Sequence, residues 1–190
     1  MDKKRAKYHF NCRNNKPVLA ILGGSQGSVP LNRHFQESYN KYTDSGIQLL
    51  WQCGKNQYNV LKNNINNNQV KLIPFADNMG ALYSASDLII SRAGALALSE
   101  MAFMGKAMVL VPFPNSSGDH QVKNARSFSN SGAAIILPQS RLKTGELENI
   151  VLKLFQNPTM IHKMEKQSSQ IATPNATIDI INTIMKIAKI

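Results

Sequence analysis

Four short polar segments, each following an apolar run of strand length, carry the residue types that bind phosphates and sugars. The first is Gly23-Gly24-Ser25-Gln26-Gly27. Glycines let a backbone turn tightly and come close to a ligand, while Ser25 and free amides can donate hydrogen bonds to phosphate or sugar oxygens. The spacing is not GxGxxG and no Gly-Lys-Ser/Thr follows, so the dinucleotide and P-loop readings lack their motifs. A bare glycine turn of this kind is equally a purely structural one. The second segment is Ser91-Arg92-Ala93-Gly94-Ala95-Leu96-Ala97-Leu98-Ser99-Glu100. Gly94 marks a turn into a helix, and the amides of Ala95, Leu96 and Ala97 are then first-turn donors without an intrahelical partner. A pyrophosphate placed there gains hydrogen bonds and a favourable dipole, which stabilises it as a leaving group without a metal. Glu100, about a turn and a half further on, can accept from two vicinal hydroxyls. Its plainer reading is electrostatic support for the first turns of its own helix.

The third segment, Pro112-Phe113-Pro114-Asn115-Ser116-Ser117-Gly118-Asp119-His120-Gln121, is a polar loop before another helix. The Gln121 amide has two donors and an acceptor with which to read sugar hydroxyls, and His120 adds a donor or acceptor beside it. An Asp119-His120 pair near a helix start also reads as a cap followed by a solvent-exposed imidazole, which leaves His120 without a catalytic role. The fourth segment is Phe75-Ala76-Asp77-Asn78-Met79. Asp77 or Asn78 reads as a helix cap; the backbone of Ala76 can also meet the Watson–Crick edge of a base, and Met79 can pack on its face.

These segments need a frame. Apolar runs recur at Val18 to Leu22, Ile47 to Trp51, Val70 to Ile73, Leu88 to Ile90, Met108 to Val111 and Ala134 to Leu137. Helical spacing fills the gaps over Leu31 to Tyr42, Tyr58 to Ile65, Met79 to Ala85, Ala95 to Met104 and Val122 to Ser131. Strand–helix alternation requires crossovers, and those favour an α/β, doubly wound, Rossmann-like parallel sheet. Ligands of such sheets sit beyond the carboxyl ends of the strands, which is where all four polar segments fall. Three further helices are expected over Thr144 to Phe155, Pro158 to Gln170 and Ala176 to Ile190, punctuated by Pro158 and Pro174. The last is apolar on more than one face through Ile180, Ile181, Ile184, Met185, Ile187 and Ala188, beyond the single stripe that a surface helix needs.

Composition sets outer limits. At 190 residues and 43% hydrophobic, the chain can bury one full core, so a single compact domain is expected. A formal net charge of +11 calls for an acidic partner: nucleic acid, anionic lipid or a phosphorylated small molecule. The basic residues, among them Lys3, Lys4, Arg5, Lys7, Lys163, Lys166, Lys186 and Lys189, are scattered as on an ordinary solvated surface. Cys12 and Cys53 form no CxxC pair, which argues against a metal or dithiol site and suits a reducing, cytosolic setting. No Asp-x-Asp pair is present to hold a metal at a diphosphate, and no cofactor is expected. No apolar stretch reaches the ~20 residues needed to cross a bilayer, so membrane contact is expected to be peripheral. RNP strands, zinc-knuckle spacing and a recognition helix are all lacking, which argues against a nucleic-acid-binding module.

Taken in order, GGSQG at 23 to 27, FADNM at 75 to 79, AGALALSE at 93 to 100, and DHQVKNA at 119 to 125 followed by SGAA at 131 to 134 resemble the C-terminal domain of the MurG-type glycosyltransferases. The resemblance covers nearly the whole chain. It implies the C-terminal half of a GT-B enzyme that moves N-acetylglucosamine (GlcNAc) from UDP-GlcNAc to undecaprenyl-pyrophosphoryl-MurNAc-pentapeptide with inversion, in peptidoglycan synthesis on the cytoplasmic face of the bacterial inner membrane. By motif, Gly24 and Ser25 would meet the diphosphate, Ala76 and Met79 the uracil, and Ala95 and Leu96 the phosphates, within a substrate-binding run that also takes in Gly94, Ala97, Leu98 and Ser99. Glu100 would take the ribose hydroxyls and Gln121, beside His120, the GlcNAc hydroxyls. Position 97, often threonine in the family, is Ala97, so a side-chain hydroxyl to phosphate is lost while the amide remains.

The resemblance also divides the chain. Residues 1–16 read as the end of an interdomain linker, 17–172 as the UDP-sugar-binding domain, and 173–190 as a helix reaching toward an N-terminal domain. That domain would carry the acceptor site and the catalytic base, leaving no catalytic residue here, and no Asn-Pro-Val-Arg-like motif of the interdomain segment is present. A fragment or a split-gene product is expected. The alternative is a non-catalytic UDP-sugar-binding subunit served by a membrane-associated acceptor-binding chain, a division similar to that of the two-chain dolichol-linked GlcNAc transferase of eukaryotes.

Overall fold

Strands covered by helices on both faces need apolar residues on both faces, and the six apolar runs do form such strands. In the computed structural model, which describes residues 1–114 and 116–188, they are β1 (Val18–Leu22), β2 (Gln48–Gln52), β3 (Val70–Ile73), β4 (Leu88–Ser91), β5 (Met108–Leu110) and β6 (Ala134–Ile136). They make one sheet in the order β3-β2-β1-β4-β5-β6, parallel at every pairing. The chain winds outward from β1 through β2 to β3 and then returns to β4 on the other side of β1. The crevice beyond the carboxyl ends of β1 and β4 is therefore the switch point of the sheet.

Alternate residues of β1 feed the two cores. Leu19 and Ile21 pack with Leu31, Phe35, Leu61, Val151 and Met164. Those side chains come from α2 (Val29–Thr43), α3 (Lys55–Asn64), α7 (Glu146–Gln156) and α8 (Pro158–Gln170). Val18, Ala20 and Leu22 pack with Ala6, Leu82, Met101 and Ala125, which belong to α1 (Lys3–His9), α4 (Met79–Ala85), α5 (Ala95–Phe103) and α6 (His120–Asn130).

The element limits differ from the sequence expectation where polar residues are involved. β2 runs one residue later than its apolar run, because Gln48 pairs with Val18 and Gln52 with Leu22. Both glutamines are buried and hydrogen-bonded, Gln48 to the backbone of Arg13, so apolarity alone does not mark them. Helices α2, α3 and α6 begin two or three residues earlier than their apolar spacing suggests, since a first turn has no core-facing requirement. α1 has no counterpart in the sequence reading, whose periodicity argument needs more than one apolar contact. Within 1–16, Asp2 Oδ1 accepts from Arg5 N at 3.0 Å and caps α1, Ala6 is fully buried, and Lys7 Nζ donates to Lys16 O at 2.7 Å. Asn115 of the third polar segment, together with Lys189 and Ile190, lies outside the described residues. The last helix, α9 (Ala176–Ala188), buries none of its residues, and Ile178, Ile180, Ile181, Ile184, Met185 and Ile187 are all exposed.

Candidate functional site

All four polar segments lie at the carboxyl edge of the sheet. After β1, the Gly27 amide donates to Gly24 O at 3.0 Å, closing a turn that leaves Gly24 and Ser25 exposed. Gly27 has φ +78°, and a Cβ there would stand 2.1 Å from Cys53 O, so this turn lies backbone against backbone on the turn after β2. Only glycine permits that approach.

After β4, Gly94 is the N-cap of α5, and the first intrahelical bond runs from Leu98 N to Gly94 O at 3.0 Å. The amides of Ala95, Leu96 and Ala97 stand ahead of that bond as anion donors, with Ala95 and Leu96 exposed. The rest of the expected run is not alike. Leu98 spends its amide inside the helix, on Gly94 O, and its side chain is 1% exposed in the core. The Ser99 hydroxyl donates back to Ala95 O at 3.0 Å. Glu100 is half-buried, and its Oε2 accepts a 2.8 Å hydrogen bond from the Tyr83 hydroxyl of α4. Burial and then the Glu100 carboxylate push the Tyr83 phenol pKa upward, so it remains a donor. Glu100 is thus fixed from below, with Oε1 left for a ligand.

After β5, the expectation for Gln121 needs correction. Its Oε1 already accepts from Ala93 N at 3.2 Å and Phe113 N at 3.0 Å. An oxygen receiving two N–H groups fixes the amide orientation, so Nε2 is the part of the Gln121 amide left free. Asp119 occupies the N-cap of α6 with φ 55° but makes no side-chain cap bond, contrary to the capping reading; His120 is exposed as that reading has it. After β3, Asn78 is the cap, its Oδ1 accepting from Ala81 N at 2.8 Å. The backbone reading of Ala76 is narrowed rather than changed: its amide is already bound to Gln52 Oε1 at 3.1 Å, so its carbonyl is the group left for a base edge. Met79 is half-buried at the start of α4.

Sequence reasoning missed three side chains that join these turns. Gln52 spans the first and fourth turns, its Nε2 donating to Gly24 O at 3.1 Å. Tyr83 fixes Glu100. Arg92 donates to Ser28 Oγ at 2.7 Å, Gln139 Oε1 at 2.6 Å, Val111 O at 3.0 Å and Pro112 O at 3.3 Å, and stacks over the Phe113 ring. Burial lowers its pKa, yet a guanidinium stays charged. Among the described residues no carboxylate pairs with it, so its charge is left to the cleft. For Gln52 and Arg92 the available signal was a polar residue ending an otherwise apolar strand or opening its turn; for Tyr83 there was none. Gly23, Gly27, Ser28, Arg92, Phe113 and Gln121 line a cleft of about 340 Å³. A larger cavity of about 710 Å³ lies between α2 and α7, around His34, Lys41 and Glu148. It flanks two helices rather than the strand ends and contains none of the four segments.

Residues 18–180 match the model of the glycosyltransferase family 28 C-terminal domain. The chain belongs to that family. Curated relatives of this family 28 domain include the UDP-N-acetylglucosamine–N-acetylmuramyl-(pentapeptide) pyrophosphoryl-undecaprenol N-acetylglucosamine transferases of Cytophaga hutchinsonii and Flavobacterium psychrophilum. The first is 36% identical over 178 residues, covering 94% of this chain and 48% of the relative. The second is 34% identical over 181 residues, covering 95% and 49%. The crystal structure of Acinetobacter baumannii MurG superposes with a TM-score of 0.78 at 30% identity, over 95% of this chain and 53% of that one. The family 28 domain therefore spans about half the length of the curated relatives it matches, and its fold is that of the C-terminal half of a GT-B glycosyltransferase.

Proposed function

We propose that this chain is the donor-binding half of a MurG-type GlcNAc transferase. Its cleft holds UDP-GlcNAc while a second domain holds the lipid-linked MurNAc-pentapeptide. The observation that carries the reading is the start of α5, where three amides without intrahelical partners adjoin Glu100 on one side and, through Ala93, Gln121 on the other. In this reading the diphosphate lies between those amides and the Gly24–Ser25 turn, under the unneutralised charge of Arg92. The Ala76 carbonyl accepts from the uracil, Met79 packs beside it, and Glu100 Oε1 takes the ribose. Gln121 Nε2, with His120 nearby, donates to the sugar.

The acceptor hydroxyl attacks the anomeric carbon as the bond to the UDP oxygen breaks, and its proton passes to a base supplied by the acceptor domain. The negative charge that develops on the departing diphosphate is met by fixed amide dipoles, which need no reorganisation. The names of the relatives favour a transferase over a non-catalytic binding subunit. A lipid-linked acceptor implies work at the cytoplasmic face of the inner membrane by peripheral contact. The net charge of +11 suits an anionic surface, and among the described residues no helix is long and apolar enough to cross a bilayer.

Calorimetry of UDP and UDP-GlcNAc in the presence of EDTA tests the donor site. Binding is expected to be unchanged by the chelator; loss in EDTA with recovery in magnesium or manganese would overturn the amide-only account of the diphosphate site.

A further inference from the structure

β2 ends on an amide that faces two ligand-binding turns at once. Gln52 is 3% exposed, paired in register between Leu22 of β1 and Ile73 of β3, the strands that lead into the GGSQG and FADNM turns. Its Nε2 donates to Gly24 O and its Oε1 accepts from Ala76 N, both at 3.1 Å. Both ends of the amide are thus engaged, and neither turn reaches the other by a backbone bond. A buried amide of this kind is held in one orientation, because reversing it would set donor against donor and acceptor against acceptor.

We propose that Gln52 is a positioning residue that couples recognition of the base to the shape of the phosphate-binding turn. The proposal rests on the donor reading above, in which Ala76 meets the base and Gly24–Ser25 the diphosphate. A base bound to the Ala76 carbonyl polarises and steadies that peptide plane. Its neighbouring amide then steadies Gln52, and Gln52 in turn fixes the Gly24 carbonyl, hence the conformation in which Gly24 keeps φ +85° and closes the turn through the Gly27 amide. A nucleoside is thereby made to prepare the site for its own diphosphate.

Glutamate at position 52 separates the two halves of the link, since it can still accept from Ala76 N but has no donor for Gly24 O. Methionine at the same position removes both. Uridine, UMP and UDP are titrated against wild type, Gln52→Glu and Gln52→Met, with amide NMR shifts recorded at residues 24–27 and 76. In the wild type, uridine alone is expected to move the amides of the 24–27 turn as well as Ala76. In Gln52→Glu, uridine affinity should stay within about twofold while UDP affinity falls about tenfold, the upper end of the worth of one neutral hydrogen bond, and the uridine-induced shifts at 24–27 should vanish. Gln52→Met should lose affinity for uridine and UDP alike, and it serves in case burial of the glutamate charge prevents folding. If the folded variants keep the wild-type uridine-induced shifts at 24–27, Gln52 is only a prop of the cleft and the proposal is wrong, whatever the UDP affinity of Gln52→Glu, whose added negative charge repels a diphosphate by itself. Failure of the wild type itself to bind UDP would instead remove the donor reading, and the coupling with it.

Discussion

Glu100 is the residue at which a sugar-binding role and a helix-electrostatic role compete, and Tyr83 separates them. A carboxylate serving only the helix dipole needs no buried partner, whereas Glu100 Oε2 is held at 2.8 Å by a phenol that is 2% exposed. That arrangement orients the carboxylate, and orientation matters for reading two vicinal hydroxyls. Glu100→Ala should weaken UDP binding by roughly ten- to hundredfold, the worth of hydrogen bonds to a charged group. Glu146→Ala, which breaks only an exposed ion pair with Arg141, should leave UDP binding alone. Tyr83→Phe should fall between them. Equal UDP affinities for the Glu100 and Glu146 variants, read by calorimetry, would return Glu100 to its electrostatic role.

At the scale of elements, the start of α5 offers a substitution that alters one backbone donor and little else. Gly94 has φ −70° and ψ 137°, the extended conformation that a residue before proline prefers, and Ala95 is the first helical position, where proline is tolerated. Ala95→Pro therefore deletes one anion-facing N–H while leaving the helix in place. Loss of that donor should lower UDP affinity about tenfold with the melting temperature nearly unchanged. Unaltered UDP affinity would mean that the diphosphate does not sit on this helix start.

Two properties belong to the whole molecule. His34 on α2 and Glu148 on α7 face each other at 3.7 Å, side chains 7% exposed, and neither His34 Nε2 nor Glu148 Oε2 has a hydrogen-bond partner. Burial lowers the His34 pKa below its ordinary 6.5, with Glu148 opposing. Between the folded pKa and 6.5 the unfolded chain binds more protons than the native one, so stability rises with pH there and is lost as the pH falls below 6.5. The melting temperature should drop between about pH 7.5 and 5.5, and His34→Gln should flatten the dependence; identical slopes for the two proteins would exclude His34 as the cause. The second property is activity. On the proposed reading the cleft positions only the donor, and so lacks the alignment of two reactants that supplies much of the rate. Transfer of labelled GlcNAc to a lipid-linked MurNAc-pentapeptide analogue should require an added acceptor-binding domain, and turnover by this chain alone would contradict the division of labour proposed.

What the sequence determined by itself was whatever repeats locally. Six apolar runs separated by helical spacing specify a doubly wound sheet, because burial on both faces admits few other uses for them, and the sheet fixes which turns face a ligand. The free amides at Ala95 to Ala97 follow from Gly94 and the helix after it. What only the tertiary structure decided was which polar atoms remain for a ligand. Gln121 loses its acceptor to Ala93 and Phe113, Ala76 loses its amide to Gln52, and Leu98 turns into the core. Arg92 gathers Ser28, Val111 and Gln139 from 64, 19 and 47 residues away. A hydrogen bond has a donor and an acceptor that sequence spacing does not bring together; the sheet order, with β4 returning beside β1, is what sets these partners within reach.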